Sequence, residues 1–177
     1  MLSEDPDYAG KAERVGTLVK DVHQFLSERE FDLSAHAPRL KVAYHAACSL
    51  QHGQKIRNEP HQLLEQAGFE VVQIPEGHLC CGSAGTYNIL QPEIATALRQ
   101  RKVANIEGTN PDLIATGNIG CMTQIGGGTA IPIVHTVELL NWASGGNIPP
   151  ALEGRYEVAQ SDEQDAIEAE RDLAEAD

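Results

Sequence analysis

At 177 residues the chain is long enough for one domain that buries roughly 70% of its unfolded surface, so it needs no disulfide framework to hold a core. Its 41% hydrophobic and 22% charged residues are those of an ordinary globular protein, and 5% aromatic is too few for a base-stacking platform. A formal charge of −13 repels phosphate backbones and anionic lipid, which excludes nucleic-acid binding and direct attachment to an acidic membrane surface.

The N-terminal MLSEDPDYAG is not a signal peptide and no apolar run reaches the length of a membrane span, so a cytoplasmic chain is expected. Over residues 8 to 27, Ala12, Val15, Leu18, Val19, Val22, Phe25 and Leu26 recur at helical spacing and predict one amphipathic helix, followed by a linker closed by Pro38. An alternation then begins. Residues 41 to 44 (KVAY) read as a strand, 55 to 67 as a helix stopped by Gly68, and 69 to 74 (FEVVQI) as a second strand ended by Pro75. Pro92 opens a helix that runs to Glu107 and is ended by Gly108. Residues 112 to 116 and 131 to 134 read as the third and fourth strands, and 136 to 143 as a last helix before Gly145 and Gly146. The Gly-rich segment 121 to 128 is expected to hold only a brief helical turn.

This order predicts an α/β fold, a Rossmann-like layered domain with a mainly parallel sheet. Residues 157 to 177 carry nine acids and one base, −8 of the total −13, and contain no apolar stripe. The expected organisation is an N-terminal helix and linker over 1–38, the α/β domain over 39–150, and an acidic tail over 151–177, disordered or a frayed helix.

Cys48, Cys80, Cys81 and Cys121 each follow a predicted strand. In an open parallel sheet the carboxyl ends of the strands share one edge, where ligands bind. The four thiols are therefore expected on loops that converge there, although 31 residues separate Cys48 from Cys80 and 39 separate Cys81 from Cys121. Glycines flank them (Gly82, Gly85, Gly117 and Gly120) and let backbone approach a bulky group closely.

A disulfide framework does not suit a chain with no sign of secretion. Buried structural thiols suit one isolated cysteine better than an adjacent pair with two equivalents. A catalytic cysteine with His45, His78 or His135 as base would use one thiol and leave three idle. Metal or cluster ligation uses all four, and soft thiolates select zinc or iron–sulfur. Between these two the residues leave the choice open: there is no C-x-x-C knuckle of the usual zinc kind, and His45, in H-x-x-C with Cys48, reads more simply as a neighbour than as a ligand. No dinucleotide fingerprint, phosphate loop or nucleophile elbow is present, and Arg99, Arg101 and Lys102 read as a solvated helix face. No catalytic residue is assigned.

HAAC (45–48), LCCGSAGTYN (79–88) and GNIGC (117–121) resemble the cysteine-rich CCG domain of heterodisulfide reductase B subunits, lactate-utilisation proteins and glycolate oxidase iron–sulfur subunits. With the RKVANI and IATGNIGCMTQI segments, the text is most similar to the last of these, from about Asp7 to Ala143. The resemblance implies an electron-transfer subunit of a glycolate oxidase (dehydrogenase), inactive alone. It would hold a [4Fe–4S] cluster on Cys48, Cys80, Cys81 and Cys121 and pass electrons from an FAD-containing partner subunit towards quinone. Membrane association would come only through that complex. The alternatives are the same role in lactate utilisation and a zinc-stabilised docking module. The family pattern ends in C-x-x-C, whereas Met122, Thr123 and Gln124 follow Cys121, which favours four ligands over five. The family's ferredoxin-like module and first CCG repeat are not in this sequence. The expectation is a C-terminal portion of a longer subunit, with Met1 an internal methionine or a late start.

Overall fold

The apolar periodicity near the N-terminus is interrupted by a bend. A computed structural model describes residues 2–29, 33 and 37–156. It forms two helices there, Ala9–Leu18 (α1) and Val22–Ser27 (α2), where the spacing predicts one. The break has a local cause: Asp21 is extended and its carboxylate accepts from the His23 N–H at 2.9 Å, which starts a new helix. Most of the predicted apolar face stays outside, with Val15, Leu18 and Val19 exposed, while Leu26 packs on the core. The acidic stretch 157–177 lies outside the described residues.

The alternation that follows is Lys41–Tyr44 (β1), a π-helical turn at Ser49–Gln54, Glu59–Gln66 (α3), Glu70–Val72 (β2), Tyr87–Leu90 (α4), Pro92–Glu107 (α5), Leu113–Thr116 (β3), Ile119–Gly126 (α6), Ile133–His135 (β4) and Thr136–Ala143 (α7). The helix predicted from residue 55 begins at 59, because Lys55 is left-handed (φ 62°) and closes the preceding turn. The Gly-rich segment after β3 is a full eight-residue helix rather than a brief turn. Asn118 starts it, its side chain accepting from the Cys121 N–H at 3.1 Å, and its two glycines, Gly120 and Gly126, fall in the first and last turns and not in the interior.

All strands are parallel, in the order β2-β1-β3-β4, with Val42 opposite Val71 and Leu113, and Ala115 opposite Val134. This is the layered α/β fold that the alternation predicts. The strand period of two divides the core. Val42, Tyr44, Leu113, Ala115 and Val134 pack with Leu63 and Leu64 of α3 and Leu139 and Leu140 of α7. Ala43 and Ile114 face the other way, onto Val103 and Ile106 of α5 and Ile125 of α6, and Cys81 and Cys121 belong to this second layer. Leu152, buried beyond α7, completes the first layer.

β3 is buried at every residue, as a central parallel strand must be. Ile114 is fully enclosed on the layer that carries the cysteines. Its replacement by Ala is expected to cost about 2–5 kcal/mol of folding stability, read as a lower urea midpoint at unchanged slope. A loss below about 0.5 kcal/mol would contradict this packing.

Candidate metal centre

Parallel pairing carries the chain past each strand end to the same edge. β1 runs into His45 and on to Cys48. The loop after β2 delivers Cys80 and Cys81, and β3 leads through Asn118 into α6, whose third residue is Cys121. His45 N–H donates to Ala115 O at 2.8 Å, extending the β1–β3 ladder by one residue beyond the strand.

The thiols meet as two pairs. Cys81 Sγ and Cys121 Sγ lie 3.4 Å apart, both buried. Cys48 and Cys80 are half-buried, and the nearby Cys80 raises the pKa of Cys48. The pairs also feel one another's charge: Cys48 and Cys80 both act on Cys121. Main chain adds donors, with Gly82 N–H reaching Cys80 Sγ at 3.3 Å and Ser83 N–H reaching Cys81.

One proton is shared in the deep pair. The hydrogen bond with Cys121 holds the Cys81 thiol well below its ordinary range, overcoming the burial that opposes ionisation, with help from His45 and Ser83. The same hydrogen bond, then burial, then the neighbouring sulfurs push Cys121 up. Burial, followed by the nearby Cys80, pushes Cys48 up as well. Binding of a metal ion must therefore displace protons held by Cys121 and Cys48, the two thiols whose ionisation is made harder. Acid supplies the competing protons, so zinc affinity of the metal-free protein is expected to rise with pH between about pH 6 and pH 9. Competition against a chromophoric chelator at several pH values measures this, and a flat profile would contradict the protonation pattern.

His45 completes the group. It is 1% exposed, both its ring nitrogens lack a protein partner, and its ligand atom lies within 4.8 Å of those of Cys81 and Cys121. Two orphaned nitrogens beside the Cys81 and Cys121 thiols are a soft donor set of the kind that zinc and iron–sulfur centres use. Sequence reasoning set His45 aside, and its only local signal was the H-x-x-C spacing. Two thiolates on one tetrahedral zinc stand roughly 3.8 Å apart, so Cys81 and Cys121 need to separate by only a few tenths of an ångström to share an ion. A cavity of about 210 Å³ borders His45 from the solvent side, with Gln51, Arg57, His61 and His78 on its walls.

Three neighbours hold the cysteine loops in place. Gly82 has φ +92°, and a Cβ there would lie 2.3 Å from the Ala95 carbonyl oxygen of α5. Gln124, at the place of the missing fifth cysteine, donates to that carbonyl at 3.3 Å and accepts from Asn88 at 3.4 Å, tying α6 to α5 and α4. The third is Lys102, which corrects the reading of a solvated face: it is fully buried, whereas Arg101 is exposed and paired with Glu76. Helical spacing explains the difference, since Lys102 shares a face with Ala95 and Ile106 while Arg101 does not.

Comparison with known proteins follows the same residues. Residues 42–126 match the family model of the CCG cysteine-rich domain. The glycolate oxidase iron–sulfur subunit of Escherichia coli is 38% identical over 81% of this chain and 35% of its own length. A probable glycolate oxidase iron–sulfur subunit of Bacillus subtilis is 32% identical over 82% of this chain and 35% of its length. Lactate utilization protein A of Shouchella clausii is 30% identical over 80% of this chain and 62% of its length. The chain thus spans about a third of the first two relatives and about three-fifths of the third. Among the described residues no helix is long and apolar enough to cross a membrane.

Proposed function

We propose, for a chain whose residues 42–126 match the family model of the CCG cysteine-rich domain, that it is an electron-transfer part of a 2-hydroxy-acid oxidase, holding a [4Fe–4S] cluster on Cys48, Cys80, Cys81 and Cys121. The observation that carries this reading is the contact of Cys81 with Cys121, 3.4 Å apart although 39 residues separate them, and it is supported by the position of Cys48 and Cys80 on segments that also follow the ends of parallel strands. A cluster bound there would supply one-electron acceptance and release, with no bond of the organic substrate made or broken on it. The chain's own part is to bind and to tune. Burial of Cys81 and Cys121 excludes water from one side, and the N–H groups of Gly82 and Ser83 donate to sulfur and stabilise negative charge there.

The partner in this proposal is a flavin-containing subunit that oxidises the hydroxy acid, with electrons passing onward towards quinone. Glycolate is favoured by the names of the Escherichia coli and Bacillus subtilis relatives, and lactate by that of the Shouchella clausii relative. Reduction of the protein's visible absorption by a flavin subunit with glycolate, against lactate, decides between them.

Anaerobic purification or reconstitution tests the centre itself. The expected result is a brown protein with about four irons and four sulfides per chain, and an EPR signal on reduction. A colourless protein with one zinc and no redox response would overturn it. That outcome belongs to a second reading, a structural zinc on His45, Cys81 and Cys121 in a docking module, which their 4.8 Å grouping favours. Chelation would then lower the melting temperature while a redox titration stayed silent.

A further inference from the structure

The largest fully buried side chain of the described residues is a cation. Lys102 projects from α5 into the layer between helices and sheet, beside Val103 and Ile106, at 0% exposure. Its Nζ donates to the carbonyl of Glu76 at 3.0 Å and lies 3.5 Å from that of Gly77, in the loop that leads to Cys80 and Cys81. The nearest carboxylate does not neutralise it. Glu76 turns its carboxylate outward to Arg101 and Asn105, and among the described residues no acidic oxygen lies within ion-pair distance of Nζ.

A buried ammonium without an anion is costly, and neutral carbonyls offset only part of that cost. Burial accordingly pulls Lys102 below the ordinary lysine range, and the groups that push back are Cys81 and Cys48 first, then Glu76 and Cys80. Geometry joins the lysine to the thiols: the carbonyls that hold Nζ belong to the segment that runs into Cys80 and Cys81, and Val103 and Ile106 of the same helix lie in one buried layer with Cys81 and Cys121. In keeping with that placement, Lys102 favours ionisation of Cys48.

We infer that Lys102 is the built-in counter-cation of the metal centre, a positioning and tuning residue that lies behind the ligands and stabilises the more negative, reduced state of whatever the four thiolates hold. The inference rests on the iron–sulfur reading above. A positive charge in a poorly screened interior favours gain of an electron, so removing it makes reduction harder. Loss of the charge alone is separable from loss of shape. Lys102→Gln keeps an N–H donor for the Glu76 carbonyl, Lys102→Met keeps the length of the stem, and Lys102→Arg keeps the charge.

The test is an EPR-monitored redox titration of reconstituted full-length protein, with iron and sulfide counted in each sample. Lys102→Gln and Lys102→Met are expected to hold the cluster and to titrate at lower potential than the parent. The expected shift is at least the 59 mV that corresponds to a tenfold change in a one-electron equilibrium, with Lys102→Arg staying close to the parent. Loss of iron from both neutral variants with retention in Lys102→Arg would equally show that the charge is what the centre needs. Neutral variants with the parent potential, or a Lys102→Arg variant that behaves like them, would overturn the inference and leave the iron–sulfur reading intact. A parent protein that binds no iron would overturn that reading, and this inference with it.

Discussion

Replacing Cys121 by Ser is expected to leave a folded protein that no longer takes up its metal centre. The substitution keeps the shape of the site nearly unchanged, and a serine O–H can still donate to the Cys81 sulfur 3.4 Å away in the native protein. The stability change should therefore stay within about 2 kcal/mol. What is lost is a soft, ionisable ligand at the buried end of the group, since a serine hydroxyl neither ionises near neutral pH nor prefers iron–sulfur or zinc. Bound iron and sulfide, or zinc under the second reading, should fall at least tenfold while far-UV circular dichroism is retained. A Cys121→Ser protein that keeps its full complement of metal would remove Cys121 from the ligand set.

The other large effect is expected at Gly82, the glycine that follows the cysteine pair. Its φ of +92° is one that side-chain-bearing residues rarely adopt, and the added methyl of Gly82→Ala would meet backbone, the Ala95 carbonyl oxygen, at 2.3 Å. The conformational penalty of roughly 1–2 kcal/mol and the overpacking penalty of roughly 1–3 kcal/mol act together, so a total near 2–5 kcal/mol is expected in urea denaturation of the metal-free protein. Relief requires α5 to back away from the Cys80–Cys81 loop or the loop to flip, and either movement displaces two thiols. Gly85 is the internal control: its φ is also positive, +63°, but nothing lies within 4 Å of a Cβ there. Gly85→Ala should cost only about 1 kcal/mol and retain the metal centre. Equal losses at the two positions would show that backbone conformation, not the contact with α5, sets the requirement for glycine.

Much of this arrangement is written locally. A short β-branched run ended by Pro75, and a helix opened by Pro92 and ended by Gly108, carry their own signals, so the alternation and the parallel sheet are legible before any packing is known. So is the meeting of Cys81 with Cys121, because in a parallel sheet a strand end is also a place in space. Four features were not legible, each for a physical reason. The break at Asp21 depends on a side-chain cap winning over an unbroken apolar stripe. The helix after β3 depends on Asn118, whose capping outweighs the low helix propensity of the glycines that follow. Lys102 and His45 were missed because residue type pointed outward while position pointed inward: one lies on the buried face of α5, the other one residue past the end of β1.

The strand order β2-β1-β3-β4 also has a consequence for timing. No two neighbouring strands are joined by a hairpin, so every pairing closes a long crossover whose entropy is lost before its contacts form. The four sulfurs are distributed over three such crossovers, and a partly folded chain offers at most the adjacent Cys80 and Cys81 together. Chelation therefore cannot guide the early collapse of this domain. A metal centre held on these thiols would form only after the sheet has assembled, and its binding would then stabilise the folded state over the unfolded one.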